Sequence, residues 1–287
     1  MNWHETIISI RENSEFKDLV RLAYFDENLK LNVERFGKSE EFKETLNIIK
    51  QHLPIAKSIL DIGAGNGISS VCFALKGYNV TAVEPDSSNT VGANAIRQLK
   101  QVYNLDNLVV HEKYAEEIGF EANSFDIVYV RQAMHHAYEL KKFISECARV
   151  LKPNGILLTV RDHVIFDAKD KEWFLASHPL HKFYGGENAF TPKEYKDAML
   201  EAGLRIIKEI KYYESVINYF PLTKEDKEKQ EKAVELNLRS SLKRRIGIIA
   251  NLPIIFNLYK QKLGIKDSFL NEKMVPGRMY SYISKKV

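Results

Sequence analysis

Ile59-Leu60-Asp61-Ile62-Gly63-Ala64-Gly65-Asn66-Gly67-Ile68 is an apolar run that breaks into three alternating glycines and resumes as a helical pattern. Ser58 to Ile62 reads as a buried strand, and Ile68 to Lys76 as the helix after the loop. A strand that enters a helix through a glycine loop presents backbone N–H groups and a positive helix end to a nucleotide-like ligand. Side chains in such a loop would hold the ligand off the backbone. The dinucleotide fingerprint is G-x-G-x-x-G; here the third glycine comes one residue early. Asp61 stands two residues before the first glycine, where a carboxylate repels a pyrophosphate but suits an ammonium or a sulfonium. The loop therefore favours S-adenosylmethionine over NAD.

Outward from the loop, Asn79 to Glu84 reads as a second strand, ending in an acid 21 residues after Gly63. A carboxylate at that strand end can accept both ribose hydroxyls of an adenosine moiety. Pro85 stops the strand, and a helix runs to about Val102. Leu108–His111 and Ser124–Val130 read as strands three and four, with Arg131 to His136 leaving the end of the fourth. A helix from Glu139 to Leu151 is closed by Lys152-Pro153-Asn154-Gly155. Strand five, Ile156–Val160, opens into Arg161-Asp162-His163; strands six and seven are expected at Leu204–Tyr213 and Gly277–Ile283. Alternating strands and helices imply right-handed crossovers and a parallel sheet, with ligands at the strands' C-terminal ends.

Leu60–Gly67, Val83-Glu84-Pro85, Asn123–Asp126, Met134-His135-His136 and Arg149–Gly155 resemble successive motifs of the class I S-adenosylmethionine-dependent methyltransferases, most closely the small-molecule branch that includes quinone methylases. The resemblance is tight over residues 55–165 and loose beyond. It implies a Rossmann-like, seven-stranded, mostly parallel α/β sheet whose last strand is antiparallel. Carried over to this chain, it makes S-adenosyl-L-methionine the cofactor. Gly63, Ala64, Gly65 and Gly67 would meet its methionine part, Glu84 beside Pro85 its ribose, and Ala115 and Glu116 its adenine. Arg131 would line the methionine side, and Asp61 would attract the positive charge there. The family usually places an aspartate where Tyr114 stands, so the adenine contact falls to Glu116 or to backbone.

The rest of the chain divides around this core. Residues 1–55 read as an N-terminal helical cap, 56–216 as the core, 217–276 as a helical insertion between strands six and seven, and 277–287 as the last strand. The insertion far exceeds ordinary loop lengths. Its first part is charged; Leu242 to Phe256 is basic and then strongly apolar, and a lid over the ligand edge is expected. The formal charge of +4 is uneven: residues 222–287 hold 15 basic and 7 acidic side chains, residues 1–221 hold 27 and 31. Two cysteines and no cysteine framework point to a reducing compartment. With no apolar signal core and no run long enough to span a bilayer, a cytoplasmic location is expected. The oligomeric state is not legible.

The loops after strands four and five converge on the methyl group in this topology. His135 and His163 are the expected bases, because histidine titrates near neutrality and each follows a strand end closely. His136, Arg161 and Tyr184 are expected at the acceptor, with Arg131 and Arg161 suited to an anionic one. His178, His181 and Glu187 lack a further ligand at supporting spacing, so no metal site is expected. The partner expected is a small-molecule acceptor, hydrophobic or anionic. RNA or protein is the alternative acceptor, without an RNA-recognition motif to support it; an NAD-dependent oxidoreductase is argued against by the loop.

Overall fold

Apolar residues alternate sides along the central strands. In β1 (Ser58–Ile62), Ile59 joins one core while Leu60 and Ile62 join another. In the parallel neighbour β4 (Phe125–Arg131), Ile127 and Tyr129 take the first side, Val128 and Val130 the second. Strands buried on both faces are what a continuous apolar run encodes. The computed structural model describes residues 1–265 and 268–287.

Four helices precede the sheet: α1 (Trp3–Glu12), α2 (Lys17–Leu22), α3 (Leu29–Lys38) and α4 (Glu40–His52). After β1 come α5 (Ile68–Leu75), β2 (Asn79–Val83), α6 (Ala93–Tyr103), β3 (Leu108–His111), β4, α7 (Leu140–Val150) and β5 (Leu151–His163). The remainder is α8 (Ala168–Ser177), α9 (His181–Tyr184), α10 (Pro192–Glu201), β6 (Leu204–Ile210), α11 (Val216–Tyr219), α12 (Lys224–Ile246), α13 (Pro253–Lys262) and β7 (Met279–Lys286). The strand order is β3-β2-β1-β4-β5-β7-β6, with β7 antiparallel to both neighbours. Helices α3 to α6 cover one face, through Phe36, Phe42, Val71 and Ile96; α7 and α10 cover the other, through Phe143, Ile144, Tyr195 and Met199. This is the mostly parallel, seven-stranded architecture expected. Both cysteines are free and buried. Among the described residues, no helix is long and apolar enough to cross a membrane.

The insertion does not lie where a lid would. Its first turn, α11, is pinned to the sheet: Asn218 Nδ2–H donates to Ile210 O at 2.7 Å, and Ser281 Oγ–H donates to Asn218 Oδ1 at 2.5 Å. From there α12 runs outward with only Leu242 buried, packing with Ala250 and Phe256 in a small core of its own. Ile248 and Ile254 are 79% and 74% exposed, so the apolar stretch faces solvent rather than the ligand edge.

Candidate functional site

At the C-terminal ends of β1, β2, β4 and β5 lies a cavity of about 750 Å³. One wall is the glycine loop. Gly63, at φ +67°, sits so close to the chain leaving β4 that a Cβ there would lie 2.4 Å from that of Ala133. Gly63, Ala64 and Gly65 line the cavity, and Gly67 does not. Gly67 instead packs on α6, at φ +82°, where a Cβ would come within 2.9 Å of Ile96. Glu84 lines the cavity at the end of β2, 8% exposed, its oxygens accepting from Gly65 N–H at 2.7 Å and Asp86 N–H at 3.0 Å. A carboxylate has about four lone-pair positions, so capacity for ribose hydroxyls remains. Burial raises its pKa to about 7. Asp61 stands behind the wall, fully buried; Ser70 Oγ–H donates to its Oδ2 at 2.5 Å, and its Oδ1 has no partner among the described residues. Pro85, Ala115 and Glu116 also line the cavity, as do Trp3, Leu19 and Phe25 of the N-terminal segment, which pack with Leu180 and Tyr184. The cradle, the buried acid at the strand end and the orphaned carboxylate oxygen fit an adenosine bearing a positively charged tail.

The opposite wall is a cluster of imidazoles and carboxylates. His135 is 2% exposed, with its Nδ1 3.0 Å from Asp162 Oδ1 and its Nε2 3.7 Å from Glu187 Oε2. Burial lowers its pKa, but the hydrogen bond to Asp162 and the neighbouring carboxylate of Glu187 outweigh this and raise it to about 9. His163 is buried with its Nδ1 2.8 Å from Gly277 O, and burial, aided by the charge of His135, pushes its pKa well down. His136 Nδ1 is 3.2 Å from Gly186 O, and burial together with His135 lowers it to about 4. Tyr184 donates its hydroxyl proton to Glu187 Oε1 within the loop 178–187, and Gly186 O and Glu187 set that loop against His136 and His135 beyond β4.

Comparison with known proteins meets this geometry. Residues 60–159 match the family model described as a methyltransferase domain. The ubiquinone biosynthesis O-methyltransferase of Agrobacterium fabrum is 24% identical over 193 residues, 66% of this chain and 71% of that one. Among solved structures, a protein of Galdieria sulphuraria described as a sarcosine dimethylglycine methyltransferase superposes with TM-score 0.56, 18% identity and 91% coverage of both chains. The geranyl diphosphate C-methyltransferase of Streptomyces coelicolor gives 0.56 at 15% identity, covering 86% of this chain and 81% of that one. The two structures share the fold; the family rests on the matched domain and the curated relatives. The chain is a class I S-adenosylmethionine-dependent methyltransferase.

Within the methyltransferase, three expectations need correcting besides that for Gly67, which packs on α6 rather than facing the cavity. Arg161 is not at the acceptor: it is buried, off the cavity wall, and donates through Nη1 to Ile217 O at 2.7 Å and to Phe220 O at 3.1 Å. Arg131 reaches the cavity wall, but its guanidinium grips Glu41 in a fork at 2.6 and 3.1 Å, so neither arginine is free to orient an anion. His135, whose pKa its two flanking carboxylates raise to about 9, is poorly suited to be a resting base. Ala115, Glu116, His136, His163 and Tyr184 all line the cavity. Sequence reading missed Glu41, Asp162 and the orienting carbonyl of Gly277. Glu41 carried no signal beyond a helix's first turn; Asp162 lay between two singled-out residues and was itself the signal to follow.

Proposed function

We propose that this methyltransferase moves the methyl group of S-adenosylmethionine to an oxygen of a small acceptor with an apolar body. The observation that carries this reading is the buried histidine–carboxylate cluster, which shares one cavity with the glycine loop and Glu84. Trp3, Leu19, Phe25 and Leu180 give that cavity an apolar side suited to a ring or an alkyl chain. The cofactor supplies an electrophilic methyl on a sulfonium. Displacement must be in line, so alignment and exclusion of water supply much of the rate. His163 keeps its Nε2 lone pair turned toward the acceptor side, because the Gly277 carbonyl on the other side obliges Nδ1 to be the donor. His135, with Nδ1 on Asp162 and Nε2 turned toward Glu187, ties the end of β4 to the loop that bears Glu187 and so shapes the acceptor side.

The positive excess of residues 222–287 gives no support to a polymeric acceptor, since none of the described residues of 217–276 lines the cavity. The test is incubation with methyl-labelled S-adenosylmethionine and fractionated extract, followed by phenols and hydroxy acids as pure compounds. Label in an ether or ester of a small molecule is the expected result. Label confined to RNA or protein overturns the reading.

A further inference from the structure

His135 leaves the end of β4, His163 the end of β5, and Glu187 the loop before α10. Each offers one ligand atom within 4.8 Å of the other two, and all three are buried. The tautomers are set by what lies behind. His135 Nδ1 faces Asp162 Oδ1 at 3.0 Å, and His163 Nδ1 faces Gly277 O at 2.8 Å. An ionised carboxylate and a carbonyl can only accept, so each Nδ1 is the donor, and Nε2 is the nitrogen left to meet Glu187. Glu187 Oε2 is buried without a hydrogen-bond partner, 3.7 Å from His135 Nε2. That separation is too long for a hydrogen bond. His178 Nδ1 stands 3.6 Å from Glu187 Oε1, also without a partner. Imidazole nitrogens and a carboxylate thus converge in a desolvated space, a grouping that is costly unless a cation lies between them. A proton on one nitrogen relieves one pair; a divalent ion relieves all of them.

We propose that His135, His163 and Glu187 form a divalent transition-metal site, with His178 in reach as a fourth ligand and the open position facing the acceptor cavity. The orienting bonds from Asp162 and Gly277 are the outer partners that metal-bound histidines normally have. Two imidazoles and one carboxylate suit zinc, iron or nickel rather than magnesium, which takes oxygen ligands. Bond lengths of about 2.0–2.2 Å put tetrahedral donors about 3.4 Å apart. The three donors therefore need to draw together by roughly 1 Å, and Glu187, in the irregular segment 185–189, is the one not held by a strand or helical turn. The pair that sequence spacing drew attention to, His178 and His181, is not the pair that converges.

The site is tested without turnover, so its failure is separable from failure of the methyl-transfer reading. Full-length protein stripped with a chelator is titrated with zinc by calorimetry, and with cobalt while its visible spectrum is recorded. One zinc per chain and an intense tetrahedral or five-coordinate cobalt spectrum are expected. Glu187→Gln and His163→Gln should abolish both signals, and Asp162→Asn should weaken zinc by about 10- to 100-fold. His181→Gln should leave them unchanged. Circular dichroism of each variant reports its folding. Wild type that binds neither metal overturns the site whatever the variants do. So does binding that survives in folded Glu187→Gln and His163→Gln, or zinc that millimolar magnesium displaces.

Discussion

The two walls of the cavity are built from different materials. The cofactor wall is made by one short stretch, residues 62–66 with 68 and 69, together with Glu84, and it works through backbone N–H groups and the absence of side chains. The acceptor wall is made by the buried ionisable side chains of His135, Asp162, His163 and Glu187, with the backbone carbonyl of Gly277 behind them. A backbone cradle is tolerant because its donors come with the chain. A buried network of charges is held only while every partner is present. The acceptor side should therefore break harder.

The largest effect is expected where that second principle extends furthest. Glu41 on α4 is fully buried and balances Arg131 at the end of β4, with Arg161 Nη1 3.9 Å away. Glu41→Ala leaves two buried guanidinium groups without their carboxylate, and should cost about 3–5 kcal/mol in urea unfolding. A loss under about 1 kcal/mol would mean that water reaches these arginines and that the two walls do not differ as described.

On the cofactor wall, Glu84→Ala should weaken S-adenosylmethionine by about 1.5–3 kcal/mol, a roughly 10- to 150-fold loss measurable by calorimetry, while the fold survives. Unchanged affinity would remove Glu84 from the ribose role. The same group should make binding depend on pH. Burial raises its pKa to about 7, and the protonated form is a poor acceptor. Affinity should therefore be about tenfold lower at pH 6 than at pH 8, and the dependence should vanish in Glu84→Gln. The sign for stability is opposite: a carboxyl whose folded pKa is raised favours the folded state at low pH, and that contribution is lost as pH rises toward 7. A flat binding profile in wild type would show that the ligand leaves Glu84 out.

The smallest effect is expected in the insertion. Because residues 224–263 touch no part of the cavity wall, replacing them with a short linker should leave cofactor affinity within about twofold, as for distant sites. A large loss would restore the lid.

These contrasts also explain what could be read from the chain alone. The glycine loop, Glu84 and the strand order follow local rules of spacing and periodicity, so residues 58–84 were legible as a strand, a cradle and an acid. His135 and His163 were legible as reachable polar groups, since each follows a strand closely. Their protonation and partners were not, because Asp162, Glu187 and the Gly277 carbonyl approach only after the sheet has formed. Arg161 shows the same limit from the other side. Its position after β5 put it at the acceptor, but its φ of +62° and the carbonyls of Ile217 and Phe220 turn it away. The insertion misled because an apolar stretch signals contact without saying with what.

The place of β7 has a consequence for how the chain is made. It lies between β5 and β6 in the sheet, yet it is synthesised after both, and among the described residues β6 has no other strand neighbour. Ribosomes add about 5–20 residues per second, so the 76 residues from Ile210 to Lys286 take roughly 4–15 s. Through that interval β5 presents an open edge and β6 waits unpaired. The carbonyl of Gly277 that orients His163 arrives in the same late stretch. A nascent chain that stalls before residue 277 therefore holds a nearly complete cofactor wall beside an unfinished acceptor wall, with two strand edges open to any neighbour that can pair with them.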